Sequence, residues 1–305
     1  MSEKSDYRSG IVSLVGKPNV GKSSLVNQLV GEKVAIVSDK VQTTRNRIGG
    51  IVTTERGQVI FYDTPGIHKP LHKLGGYLVK ITVSALNGSD LIAAILDISD
   101  GIKKSDFLVA KHVNSSNIPV FLVINKIDVV KTRKKITEFL EEGTKLFKNV
   151  EKTFPVSAIT GEGIKEFLEA VIERMPPGPP LYPEDVITDR SARFMASEII
   201  REKILLLTKE EVPHSVGVSI EEFTYRENGT LYIRGEIVVE RPTQKAIIIG
   251  KGGTMIKKIG TLARQDMEYL FDTKVFLDLF VKVRRKWREK DNFIMDFTNL
   301  NEDLN

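Results

Sequence analysis

The chain has no cysteine, which excludes disulfides, thiolate metal sites and cysteine nucleophiles. No run approaches the roughly 18 apolar residues of a membrane-spanning helix. The opening MSEKSDYRSG has no apolar core of the kind a secretory signal needs, so a cytoplasmic protein is expected. Basic residues are absent from Asp291 to Asn305, where four acids stand. What is present is 41% hydrophobic residues over 305 positions, enough for two domains with real cores. The net charge of +5 is unevenly placed, because from Arg241 to Lys290 there are 13 lysines and arginines against 5 acids. A basic excess concentrated around a glycine loop points to a polyanion partner.

In the first part of the chain short apolar runs alternate with helical patterns. IVSLVG (11–16), VIFYDTPG (59–66), LIAAILDIS (91–99) and PVFLVINKID (119–128) read as buried strands that end in polar residues. Helical stretches are expected near 22–30, 75–88, 105–116, 131–148 and 163–174. This rhythm predicts an α/β fold with a mostly parallel sheet covered on both faces, and ligands at the strand ends. MPPGPPLYPED (175–185) carries five prolines in eleven residues, so it reads as an extended linker. Beyond it an α+β pattern follows. A helix covers RSARFMASEIIREKILLLT, and the strands HSVGVSIEEFTYR and TLYIRGEIVVE are joined by an ENG turn. Then come a short helix to Ile249, the loop Gly250–Gly253, a helix from Thr254 and a strand in KVFLDLFVKVR. The expected division is a nucleotide-binding domain over 1–175, a linker over 176–190 and a second domain over 191–305.

GKPNVGKS, from Gly16 to Ser23, fits the phosphate-binding loop G-x-x-x-x-G-K-S between a strand and a helix. Backbone N–H groups of Gly16, Lys17, Pro18's neighbours, Asn19, Val20 and Gly21 can wrap a β-phosphate, with the helix N-terminus and Ser24 behind them. Lys22 can neutralise β- and γ-phosphate oxygens, and the Ser23 hydroxyl suits Mg2+. DTPG (Asp63, Thr64, Pro65, Gly66) ends a strand, where Asp63 can hold the Mg2+ shell and Gly66 can sense a γ-phosphate. In NKID, Asp128 can accept from N1–H and the exocyclic amine of guanine, whereas adenine would present a lone pair to it. Asn125 would hold base and loop, Lys126 can cover a base face, and Ser157–Ala158 supplies a donor for guanine O6. TTR (Thr43–Arg45) lies between strands, and Thr44 is assigned as the residue that completes the Mg2+ shell. Together these elements predict GTP and GDP as ligands.

Over roughly residues 8–175 the arrangement resembles the translation-factor-like GTPases, which implies their fold and GTP hydrolysis. One position departs from the Ras-like pattern: Ile67 follows D-x-x-G where those proteins carry a water-orienting glutamine. Asn19 occupies the place it has in GTPases of this class that bind K+ beside the phosphates, so Lys22, Asn19 and Thr44 are the expected catalytic residues and K+ a candidate cofactor beside Mg2+. His68 and His72 stand four apart, but Pro70 between them argues against a helical metal site.

GKGG (Gly250, Lys251, Gly252, Gly253) is no second phosphate loop, since Thr-Met-Ile follows it. Helix, four-residue G-x-x-G loop and helix beside a small sheet resemble the KH arrangement, and the preceding helix and hairpin suggest its type II order. In that order the glycines let a single-stranded RNA backbone approach. Lys251, Lys257, Lys258, Lys282 and Arg284 are the expected phosphate contacts. Among the isoleucines, 247–249, 256 and 259 would form an apolar wall that is mostly core. Trp287 is expected to pack rather than to stack a base. With KPNVGKSSLVNQL, VQTTRNRI, FYDTPGIH, EIIREKI and IIIGKGGTMIKKIG, nearly the whole chain resembles the Era family of ribosome-assembly GTPases. The resemblance implies the 3′ end of 16S ribosomal RNA and the assembling 30S subunit as partners, peripheral membrane association, and a monomer. A nucleotide-binding RNA scaffold with little turnover is the alternative that Ile67 leaves open.

Overall fold

The computed structural model describes residues 7–70, 72–298, 300 and 303. These fall into two compact units. Residues 7–35, 46–70 and 77–189 form the first; 36–45, 72–76 and those from 190 onward form the second.

The first unit is built on a six-stranded sheet of order β2-β3-β1-β4-β5-β6. Its strands are β1 (Arg8–Val15), β2 (Ile48–Thr54), β3 (Gly57–Asp63), β4 (Leu91–Asp97), β5 (Val120–Asn125) and β6 (Val150–Pro155). All pairings are parallel except β2 with β3. Every residue of β4 and β5 is buried, as expected for central strands covered on both faces. The helices that cover them are α1 (Lys22–Val30), α2 (Lys73–Asn87), α3 (Lys104–Val113), α4 (Arg133–Thr144) and α5 (Ile164–Arg174). One face buries Val12, Leu14, Leu25, Phe61, Phe121 and Phe167; the other buries Ile92, Ala94, Leu122, Val109 and Phe139.

The antiparallel β2 was not among the expected strands. Its glycines explain both its place and its faint sequence signal. A Cβ on Gly50 would stand 2.5 Å from Val26 Cγ1, so α1 packs directly on the strand backbone. The proline-rich stretch is strapped onto this unit. Ser9 N donates to Pro176 O at 3.1 Å, and Ile51 N donates to Ile187 O at 2.9 Å. The Gln58 carboxamide accepts from Leu181 N and Tyr182 N and donates to Tyr182 O.

The second unit holds a three-stranded sheet of order β7-β8-β9: β7 (Gly217–Tyr225), β8 (Leu231–Val239) and β9 (Val275–Val283). The first pair is antiparallel and the second parallel. Its helices are α6 (Ala192–Leu207), α7 (Val212–Ser215), α8 (Pro242–Ile249), α9 (Thr254–Leu270) and α10 (Asp291–Thr298). Sequence reading did not anticipate α7 or α10. Ala196, Ile200 and Ile204 of α6 meet Ile233, Ile237 and Val239 of β8 and Ile259, Ala263 and Met267 of α9 in one core. The Ser191 hydroxyl caps α6 by accepting from Phe194 N at 3.2 Å. Helix α6 is not simply amphipathic. Glu198, Arg201, Glu202 and Lys203 are all buried, paired as Glu198–Arg201 and as Lys203 with Glu202 and Asp266.

Candidate nucleotide and nucleic-acid sites

In the first unit the polar residues at the ends of β1, β3, β4 and β5 meet around the 16–21 loop. Gly21 precedes α1 at φ 96°, and a Cβ there would lie 2.3 Å from Asn125 Nδ2, so only glycine fits both the angle and the neighbour. Asn19 also takes a left-handed backbone, at φ 64°. Asn125 donates from Nδ2 to Val20 O at 2.8 Å and accepts at Oδ1 from Ala158 N at 3.1 Å, so one buried amide joins the phosphate loop to the Ser157–Ala158 loop. Lys126 donates to Asn19 O at 2.9 Å and to Asp97 Oδ2 at 2.6 Å. Ser157 Oγ donates to Asp128 Oδ1 at 2.6 Å while accepting from Thr160 N at 3.1 Å, which aims the carboxylate.

The Lys22 ammonium rests on Gly16 O and Lys17 O, each 3.2 Å away. Burial pushes its pKa down from 10.5 to about 8, although the Asp63 carboxylate opposes that fall. A charge held there without an anion is costly, and phosphate would relieve it. The Ser23 hydroxyl donates to Asp63 Oδ2 at 2.6 Å, so two hard oxygen donors already stand together. Thr64 is buried and donates to Leu14 O at 2.7 Å, and Pro65 O accepts from Thr82 Oγ1 at 2.9 Å; these bonds set the turn after β3. A Cβ on Gly66 would come within 2.7 Å of Pro18 N, so the turn lies directly against the first half of the phosphate loop. Ile67, 1% exposed, sits in the core with Val15 and Leu86, which removes its side chain from any role with water. Ser24 lies in the first turn of α1.

Thr43 is one of the buried threonines of the chain, as is Thr44. They lie in the 36–45 segment of the second unit, where Arg45 donates to Val216 O at 2.6 Å, Arg201 to Thr43 O, and Val37 N to Glu202 Oε1 at 3.2 Å. His68 Nδ1 lies 3.0 Å from Lys69 O and His72 Nδ1 3.3 Å from Glu289 Oε1; among the described residues no metal-ligating cluster forms. Sequence reading missed Asp97 at the end of β4, Asp100 in the loop after it and Asp106 in the first turn of α3, acids that grip lysines of the site.

In the second unit the Gly250–Gly253 loop joins α8 to α9 with φ of 74°, 60° and 79° at Gly250, Gly252 and Gly253. Lys251, Lys257 and Lys258 are exposed beside it. A groove of about 320 Å3 opens next to the loop between α9 and β9, lined by Ile256, Lys257, Gly260, Thr261, Arg264, Leu277 and Leu279. Of the five isoleucines, Ile248 and Ile259 are core, Ile249 and Ile256 half-buried, and Ile247 is exposed. Lys282 stands apart from the groove lining. Strand alternation puts it on the face of β9 opposite Leu277 and Leu279, where it pairs with Glu236. Arg284 lies exposed beyond β9. Trp287 packs, as expected, fully buried with Nε1 donating to Ser215 O at 2.8 Å.

Residues 11–126 match the family described as 50S ribosome-binding GTPase, and residues 211–288 match the KH domain family. The chain is 54% identical to GTPase Era of Thermotoga maritima and 56% identical to GTPase Era of Thermosipho melanesiensis; each comparison covers 97% of this chain and 99% of the relative. A solved structure of Era in complex with MgGDPNP and nucleotides 1506–1542 of 16S ribosomal RNA is similar at TM-score 0.92 and 40% identity, covering 95% of this chain and 98% of that one. The chain belongs to the Era family of GTPases.

Proposed function

We propose that this GTPase couples its nucleotide state to RNA binding during small-subunit ribosome assembly, with the 3′ end of 16S ribosomal RNA held in the α9–β9 groove. The observation that carries the nucleotide half is the Asn125 amide, which links the phosphate loop to the Ser157–Ala158 loop beside Asp128. Asp128 reads the guanine edge, the Ala158 loop meets O6, and Lys126 covers the base. Residues 16–24 hold the phosphates, with Lys22 supplying charge. The RNA half rests on the glycine loop, its three exposed lysines and the groove. It rests also on the relative solved with the 16S fragment.

The donor set fits Mg2+: Ser23 and Asp63 would hold it, and Thr44 is the proposed third ligand. When bound, Mg2+ would neutralise charge on the phosphate oxygens. Asn19 would hold K+ in place of the missing glutamine. The corresponding division of labour is a GTPase domain over 1–175, a linker over 176–190 and a type II KH domain over 191–305, working as a cytoplasmic monomer on the 30S particle. Among the described residues no helix is long and apolar enough to cross a membrane.

The test is ultraviolet crosslinking in cells followed by sequencing of the bound RNA. Enrichment of the 16S 3′ end is the expected result, and an even spread over ribosomal RNA would contradict the assignment.

A further inference from the structure

From the last residue of β4 to the first turn of α3 stand three carboxylates outside the assigned chemistry, Asp97, Asp100 and Asp106, and two are almost fully buried: Asp97 is 5% and Asp106 1% exposed. Both grip lysines that hold the phosphate loop. Asp97 takes Lys126, whose ammonium also donates to Asn19 O. Asp106 takes Lys17, the second residue of the phosphate loop, at 2.9 Å, and the same ammonium reaches Gly101 O at 3.2 Å and Asp100 Oδ2 at 3.1 Å. The Lys17 side chain is therefore anchored on Asp100, Gly101 and Asp106. Burial alone would lower its pKa, but the bonds to Asp106 and Asp100 outweigh burial and hold it above its ordinary value. Lys17 stays charged, and so does its need for Asp106.

What the anchor fixes follows from its neighbours. The first half of the loop faces the D-x-x-G turn: Ile67 N donates to Gly16 O at 3.3 Å, and Gly66 lies against Pro18. The second half faces the guanine side, through Gly21 and Asn125. Lys17 stands in the half toward the γ-phosphate, and its own carbonyl accepts from Lys22. We propose that Asp106, acting through Lys17, is a positioning residue for GTP hydrolysis, setting the γ-phosphate half of the loop while leaving the hold on GDP to the other half.

Asp106 allows a clean test because a single oxygen, Oδ2, serves both Lys17 and Lys103 N, the latter at 2.8 Å. Asp106→Asn can keep that acceptor and the helix cap while removing the charge, and it puts an amide NH2 at the buried, unpartnered position of Oδ1, which the melting temperature monitors. The inference rests on the GTPase reading of the site, so wild-type protein is measured first: absence of GTP turnover there would defeat that reading and not this one alone. Single-turnover hydrolysis, GDP affinity by fluorescence titration and melting temperature are then compared for Asp106→Asn, Lys17→Met, Lys17→Arg and the Asp106→Asn/Lys17→Met pair. Asp106→Asn and Lys17→Met are each expected to slow hydrolysis about ten- to a hundredfold, as a displaced reacting geometry does, with GDP affinity changed less than about threefold. The pair is expected to be no slower than Lys17→Met, and Lys17→Arg to recover most of the rate. An unchanged rate in Asp106→Asn would overturn the proposal. So would a parallel loss of GDP affinity and rate, or effects that multiply in the pair.

Discussion

Ser157 Oγ donates to Asp128 Oδ1 at 2.6 Å, and its lone pairs already accept from Ile159 N and Thr160 N at 3.3 and 3.1 Å. The hydroxyl therefore has a proton to give and no acceptor to spare. In Asp128→Asn the new side chain must offer its oxygen to Ser157 and turn its amide N–H toward the base. Guanine then meets a donor where it needs an acceptor, while xanthine presents a C2 oxygen. Asp128→Asn is expected to weaken GTP by about 2–4 kcal/mol and to favour xanthosine triphosphate. Competition binding with both nucleotides checks it; an unchanged preference counts against the guanine assignment.

Lys22 gives a pH signature. Burial holds its pKa at about 8, against 10.5 in the unfolded chain, so at pH 7 the buried charge costs about 3 kcal/mol of stability. Stability of the nucleotide-free form should accordingly rise with pH between about 8 and 10.5 as that charge is lost. Bound phosphates raise the pKa again, so nucleotide binding takes up a proton. The uptake should grow, and GDP affinity fall, as pH climbs above about 8. Calorimetry in two buffers of different ionisation enthalpy measures it directly, and heats independent of buffer would contradict the burial of an unneutralised Lys22.

Much of the first unit was legible because β4 and β5 are continuous apolar runs that end in the polar residues of the site. Strand β2 was not, since Gly49 and Gly50 dilute its pattern to let Asp189 and Val26 approach. Edge strand β6, VEKTFP, is mostly polar and reads as a loop. The acids at 97, 100 and 106 look like solvated charge, and nothing local announces that Asp106 meets Lys17 across 89 positions of chain. The charges of EIIREKI read as a wet helix face, yet they are buried around the 36–45 segment and Asp266. The face of Lys282 was legible: period-two alternation along VFLDLFVKV already puts it opposite Leu277 and Leu279.

Catalysis without a glutamine has its own test. Ile67 is core, so charge on the transition state must be met from elsewhere, and Asn19 at φ 64° is placed at the first half of the loop. Hydrolysis is expected to be faster in potassium than in sodium by about tenfold or more, corresponding to roughly 1–4 kcal/mol of barrier. Asn19→Ala should erase the difference. Equal rates in both salts would remove K+ from the reaction.

The most direct measurement of the division between the two glycine loops is RNA binding by the Lys251→Asp, Gly252→Asp double variant. Lys251 is exposed, and a Cβ on Gly252 meets no atom within 4 Å. Its φ of 60° is one that aspartate tolerates better than most residues. The variant should therefore fold, while placing two carboxylates where an RNA backbone has to pass. Filter binding to a single-stranded 16S 3′-end oligonucleotide, at one fixed salt concentration because basic residues alone bind RNA in a salt-sensitive way, is expected to weaken by at least about a hundredfold with GTP affinity unchanged. Equal RNA affinity in the folded variant would make Gly250–Gly253 a structural turn and contradict the assignment of RNA to this loop.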